Sequence, residues 1–205
     1  MERPVSGTIS VARLQHKVAK HAKKEYDKAE KKLKDGDVNS SLTHLLKAVE
    51  IDPEYMEAHN NLGSRYVMLN QFDLALSAFR RALQLDPSAT MVHLNMAVAL
   101  MATQQNKEAE DVARRVLQQQ PGNAQARYLL GLCLYTQKQY TDEAVSLLGR
   151  SQEQFPNARI AVAAIHAVRG EPMKARTELE AYMAIPNTTN REQARAMLAQ
   201  LRPED

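Results

Sequence analysis

Proline recurs at Pro53, Pro87, Pro121 and Pro156, at intervals of 34, 34 and 35 residues, and each closes a run that ends in an apolar-rich helical pattern. A fixed period near 34 means one two-helix unit stacked on itself, because a unit that short cannot bury its apolar face alone. The prolines also mark helix ends, since the residue before a proline disfavours the α region. The second unit shows the pattern most fully, with Leu62, Gly63, Tyr66, Ala75, Phe79, Ala82 and Pro87. The third repeats it with Met96, Ala97, Leu100, Ala109, Ala113 and Val116, and the fourth with Leu130, Gly131 and Leu134. Gly63, Ala97 and Gly131 share one site, where the first helix of a unit must approach the second closely. A larger side chain there would overpack the contact at a cost of about 1–3 kcal/mol.

These residues resemble the tetratricopeptide repeat, whose pattern places a large residue, Leu-Gly, Tyr, Ala, Phe, Ala and Pro at the same offsets. The resemblance covers about residues 20 to 185. It implies an all-α, right-handed superhelical solenoid of antiparallel helix pairs. Four units close at Pro53, Pro87, Pro121 and Pro156, a degenerate fifth follows, and a C-terminal helix caps the array. The expected organisation is an arm or linker over 1–17, the array over 18–187, and the capping helix and tail over 188–205. That is one domain, with each unit touching only its neighbours.

Along the chain, Val18, Ala22, Tyr26, Ala29 and Leu33 form a narrow apolar stripe on a charged helix. Gly36 ends it, and Asp37 or Asn39 can cap the next helix. Turns within units are expected at Asn70-Gln71, near Gln104 to Asn106, and at Gln139 to Asp142, where one extra residue accounts for the interval of 35. The fifth unit turns at Gly170 to Ala175, after a first helix about three residues short. Thr189-Asn190-Arg191-Glu192 reads as a capping box opening the last helix, which continues through Ala196, Leu198 and Leu201. Ahead of the array, Ile9, Val11 and Leu14 could form a short extended piece.

Several function classes lack their residues. There is no phosphate-cradling glycine loop, His-Glu-x-x-His, Cys-x-x-Cys or Gly-x-Ser-x-Gly, so no enzyme, cofactor or metal site is expected. His59 and His93 lie one repeat apart, where the resembled family often has Trp, which favours packing over metal binding. Cys133, the only cysteine, reads as an inert, partly buried thiol. No apolar run reaches about 18 residues, so no membrane span is expected, and residues 1–18 lack the apolar stretch of a secretory signal. A cytoplasmic location is the favoured expectation for the chain as given; a separate module upstream in a precursor would make the cell envelope the alternative.

The candidate surface comes from the resemblance, in which the first helix of each unit lines a concave groove. The groove offsets fall on Asn60, Asn61, Ser64 and Met68 in the second unit, on Met91, Leu94, Asn95, Val98 and Met101 in the third, and on Gln125, Tyr128, Leu132 and Tyr135 in the fourth. The groove thus begins polar and becomes apolar, which suits a protein or peptide partner with an apolar or amphipathic segment. Family members that clamp a C-terminal carboxylate use Lys and Asn pairs. Here Tyr26, Glu30 and Met91 stand at matching places and Asn61 and Asn95 alone remain, which argues against such a clamp. The net charge of +3 conceals a basic segment. Residues 13–34 hold nine Lys or Arg against three acids. Lys20, Lys24, Lys28 and Lys32 make one stripe at i, i+4 spacing. An anionic surface, nucleic acid or lipid, is the alternative partner, but few aromatics interleave to stack bases, and a solvated outer face explains the stripe without one.

Overall fold

The computed structural model describes residues 16–201, and its described residues hold eleven α-helices. They are α1 (Lys20–Lys34), α2 (Val38–Ile51), α3 (Met56–Met68), α4 (Phe72–Leu85), α5 (Thr90–Ala102), α6 (Asn106–Gln119), α7 (Ala124–Thr136), α8 (Asp142–Gly149), α9 (Ala158–Val168), α10 (Pro172–Ala184) and α11 (Arg191–Gln200). The chain divides into two compact units, residues 1–108 and 109–205. The segment containing Ile9, Val11 and Leu14 lies outside the described residues.

One backbone device recurs in every helix pair. Gly36, Asn70, Gln104, Lys138 and Gly170 each take a positive φ between 57° and 80° just past a first helix. The next amide then reaches back five residues: Gln71 N to Tyr66 O at 2.8 Å, Gln105 N to Leu100 O at 2.8 Å, Gln139 N to Leu134 O at 2.9 Å. This left-handed cap satisfies carbonyls that the helix end would otherwise leave bare, and it turns the chain sharply. The expected turns therefore form, and the extra residue of the fourth pair falls after Lys138. Asp37 supplies the predicted cap, its side chain accepting from Ser40 N at 2.9 Å.

In the first unit, Ala22 and Ala29 of α1 pack with Leu45 and Ala48 of α2 and with Tyr55, Ala58, Leu62 and Ala78. Asp52, just before the closing Pro53, is buried and accepts Ala19 N at 2.9 Å, so the end of α2 caps the start of α1. Gly63 and Gly131 sit where α3 meets α4 and α7 meets α8. A Cβ built on Gly63 would fall 2.5 Å from the Phe79 ring, and one on Gly131 2.6 Å from Leu148 Cγ. Close approach, not backbone freedom, explains both glycines.

The second unit departs from the repeat in two places. Helix α8 stops at Gly149, well before Pro156, whereas α2, α4 and α6 end two residues before their prolines. A glycine there weakens the helix, and Ser151 Oγ bonds Leu147 O at 2.8 Å, a side-chain competitor for the helical ladder. The capping box also fails to form. The N-cap of α11 is Asn190, with no side-chain cap bond. Instead Asn190 N donates to the Tyr182 hydroxyl at 3.1 Å, and that hydroxyl donates to Asn157 Oδ1 at 2.8 Å. Ala194, not Ala196, is the buried small residue of α11; Met197, Leu198 and Leu201 pack on a cluster that includes Ile160, Leu179 and Tyr182. Removing residues 189–205 would uncover that cluster and the polar end of Tyr182. The truncated chain should self-associate in light scattering after size exclusion; a monomer with an unchanged melting temperature would contradict this role for α11.

Candidate partner-binding surface

In the first unit the groove residues join one hydrogen-bonded ladder. Asn95 Nδ2 on α5 donates to Asn60 Oδ1 at 3.0 Å, and Asn60 Nδ2 donates to Asn61 Oδ1 at 3.2 Å. Asn61 Nδ2 in turn donates to the Tyr26 hydroxyl at 2.8 Å and to Glu30 Oε1 at 3.0 Å on α1. The ladder ends on buried Arg65, which donates to the same Glu30 oxygen at 2.8 Å and to Ser41 Oγ at 3.0 Å. Three successive first helices are thus tied by side-chain amides, and burial, with the Glu30 charge behind it, raises the Tyr26 phenol above its ordinary range. Asn61 spends its donors on Tyr26 and Glu30, and the nearby Glu30 carboxylate would repel another. Arg65 was the member that sequence reasoning missed. Its signal was its position four residues after Asn61, on the same helical face.

Beside this ladder the surface turns apolar. Met91, Asn95 and Val98 fall at i, i+4 and i+7 on α5. Met91 is 58% exposed and Val98 36%. Met101 is half-buried and Met68 is exposed. A shallow cleft of about 130 Å³ between Ser64, Val67, Asn95 and Val98 has the Phe79 ring in its wall. Leu94 does not belong to this surface: it is 2% exposed. Successive helical residues turn by about 100°, and that step carries Leu94 from the open side of Asn95 into the core.

In the second unit Gln125, Tyr128, Leu132 and Tyr135 share one face of α7, and all four are half-buried. The Tyr128 ring stacks on Phe155, centroids 4.6 Å apart and planes within 1° of parallel. Phe155 can reach it because α8 ends early and leaves the chain before Pro156 in turns. Tyr135 meets Tyr140 at 6.0 Å in a tilted pair. Burial raises both phenols, Tyr128 and Tyr135, above their ordinary values, so this wall is aromatic and uncharged. Buried Glu110 lies under the same unit, accepting from Arg114 Nε at 2.8 Å and Gln137 Nε2 at 3.0 Å, while Arg114 also pairs with Glu143 at 2.7 Å.

The partly buried histidines make a backbone contact that the sequence did not indicate. His59 Nε2 bonds the carbonyl of Pro53 at 3.0 Å, and His93 Nε2 bonds that of Pro87 at 2.9 Å. Arg127 Nη1 donates to Pro121 O at 3.2 Å. The residue six after each of the first three closing prolines therefore secures the proline carbonyl, and a neutral imidazole suffices for it. Burial pushes the Cys133 thiol up to about 12, with the Glu110 charge adding to it, which keeps the thiol protonated. The basic segment is partly neutralised by its own helix: Lys23 pairs with Asp27 and, within the stripe, Lys28 with Glu25. Hydrogen bonds from Lys28 and then His44 hold Glu25 down to about 2. Among the described residues no helix is long and apolar enough to cross a membrane.

A model of the cytochrome c-type biogenesis protein H TPR domain matches residues 9–146. No curated protein matches the chain in sequence. Among solved structures, PilW, a type IV pilus biogenesis factor, superposes with a TM-score of 0.76 at 20% identity, covering 88% of this chain and 87% of that one. MamA from residue 41 to its end, from Desulfovibrio magneticus RS-1, gives 0.72 at 19% identity over 82% and 96%. YrrB, described as a TPR protein with an unusual peptide-binding site, gives 0.64 at 22% identity over 84% and 90%. At these identities the likeness is one of fold: an all-α array of helix pairs.

Proposed function

Because the chain belongs to the family of the cytochrome c-type biogenesis protein H TPR domain, we propose that it is a non-catalytic protein-interaction scaffold. Its first helices present partner-binding walls. The observation that carries this reading is the open apolar face of α5, where Met91 and Val98 flank Asn95 beside the Ser64 cleft. The asparagine ladder keeps the helices beneath that face in fixed spacing, so the wall is pre-organised and little ordering entropy remains to oppose binding. Methionine adapts its shape to varied apolar partners. The partner is an apolar or amphipathic peptide segment, and the Tyr128, Leu132 and Tyr135 face of the second unit is a further wall of the same kind. YrrB, with a peptide-binding site on a similar fold, supports the class of ligand. Cytochrome c-type biogenesis is the process in which to look for the partner first.

Non-catalytic is part of the proposal, since neither wall brings together an acid, a base and a nucleophile. The lysine stripe of α1 is read as a solvated face.

A photo-crosslinking side chain at Val98 tests the scaffold reading, with the same group at Lys47, exposed on α2, as the control. Irradiation in the source cells should give a discrete protein adduct from position 98 and little from 47. Equal adducts from both positions, or none from 98, would contradict the assignment of the wall.

A further inference from the structure

A separate cleft lies on the opposite side of α3. Residues two apart on a helix are separated by about 200°, which places Leu62 and Tyr66 away from Asn60 and Ser64. Leu62, Tyr66 and Ala78 line a cleft of about 610 Å³ between α3 and α4. Leu74 stands at its edge, 50% exposed. Arg80, Arg81 and His59 line it too, and no carboxylate does. Among the described residues Arg80 has no ion-pair or hydrogen-bond partner. Arg81 gives single bonds of 3.3 Å to Pro53 O and Gln84 Oε1, leaving further guanidinium donors available.

We propose that this cleft binds an acidic peptide segment carrying an aliphatic anchor. The anchor seats against Leu62, Leu74 and Tyr66, and flanking carboxylates meet the Arg80 and Arg81 guanidiniums. The volume lies within the range of sites that hold a few side chains, and an apolar floor with a small number of placed charges is the usual composition of such sites. Planar guanidinium forks suit carboxylates better than ammonium groups do. The site is independent of the α5 wall, since it uses other residues and the other side of α3.

The test uses a fluorescein-labelled octapeptide with two adjacent leucines flanked by glutamates, and the same peptide with lysines replacing the glutamates. Fluorescence anisotropy at low salt should show saturable binding of the glutamate peptide and at least about tenfold weaker binding of the lysine peptide, as opposite charge contacts demand. Arg80→Glu and Leu74→Asp should each weaken the glutamate peptide about tenfold, Arg80→Lys should retain part of the affinity, and Val98→Glu should leave it unchanged. Both altered sites are exposed, so circular dichroism should match the unaltered chain. Absent saturation, equal binding of both peptides, or affinity lost in Val98→Glu but kept in Arg80→Glu would overturn the proposal, the last by placing the peptide on the α5 wall.

Discussion

Gly131→Leu is expected to destabilise the fourth repeat by about 3 kcal/mol, the upper end of what overpacking usually costs. Carbon atoms reach their optimal separation near 3.5–4.0 Å. A Cβ at residue 131 would stand 2.6 Å from Leu148 Cγ, 2.9 Å from its Cδ2 and 3.3 Å from its backbone nitrogen. Leu148 cannot swing clear, because it is fully buried. The α7–α8 pair must therefore separate, and a leucine needs far more room than the first carbon. Gly131→Ala should be milder, since the equivalent site of the third unit accommodates Ala97 with full burial. Lys24→Glu, on the exposed face of α1, should stay within about 0.5 kcal/mol. Denaturant midpoints for the three variants check the ordering; similar shifts for Gly131→Leu and Lys24→Glu would remove the close-packing explanation.

The repeat was legible because its signals are steric. Small residues at the helix crossing and prolines after the second helices recur whatever else the chain does. The turns were legible as positions but not as a mechanism. Glycine announces the left-handed cap at Gly36 and Gly170, while Asn70 is a weaker cue, and Gln104 and Lys138 carry no turn signature at all. They adopt a positive φ because the five-residue return bond and the next helix require it. The early end of α8 was hidden because Ser151 competes with the helix only once its side chain finds Leu147 O.

The surface was less legible than the fold. Leu94 and Val98 are both apolar and both fall at groove offsets, yet one is buried and the other open. Their separation depends on how α5 is rotated against α3 and α4, and hydrophobic pattern alone does not set a helix's rotation to within one residue. The bonds from His59, His93 and Arg127 to proline carbonyls were visible as a fixed spacing of six, but imidazole and guanidinium share no family resemblance until both are seen donating to the same kind of acceptor. Tyr182, joining Asn157 to the start of α11, left no mark in sequence beyond its apolar phase.

The central claim is that exposed side chains of the first helices bind a partner and are not required by the fold. Leu132 and Tyr135 are the stringent pair for it, because both are half-buried on one face of α7. Tyr135 touches Tyr140 at the turn, a contact whose loss the helix pair should tolerate. Binding energy in interfaces concentrates in a few apolar or aromatic anchors, each worth about 2 kcal/mol or more, so placing carboxylates at both positions should weaken binding by more than about thirtyfold. The decisive measurement is capture, by the Leu132→Glu, Tyr135→Glu double variant, of the partner cross-linked from a photo-reactive side chain at Gln125 on the same face of α7, beside its helical signal and unfolding midpoint. The account predicts lost capture with retained helicity and a midpoint shift well below that of Gly131→Leu. Unfolding of the variant would make these side chains part of the core, and undiminished capture by a folded variant would place the partner elsewhere.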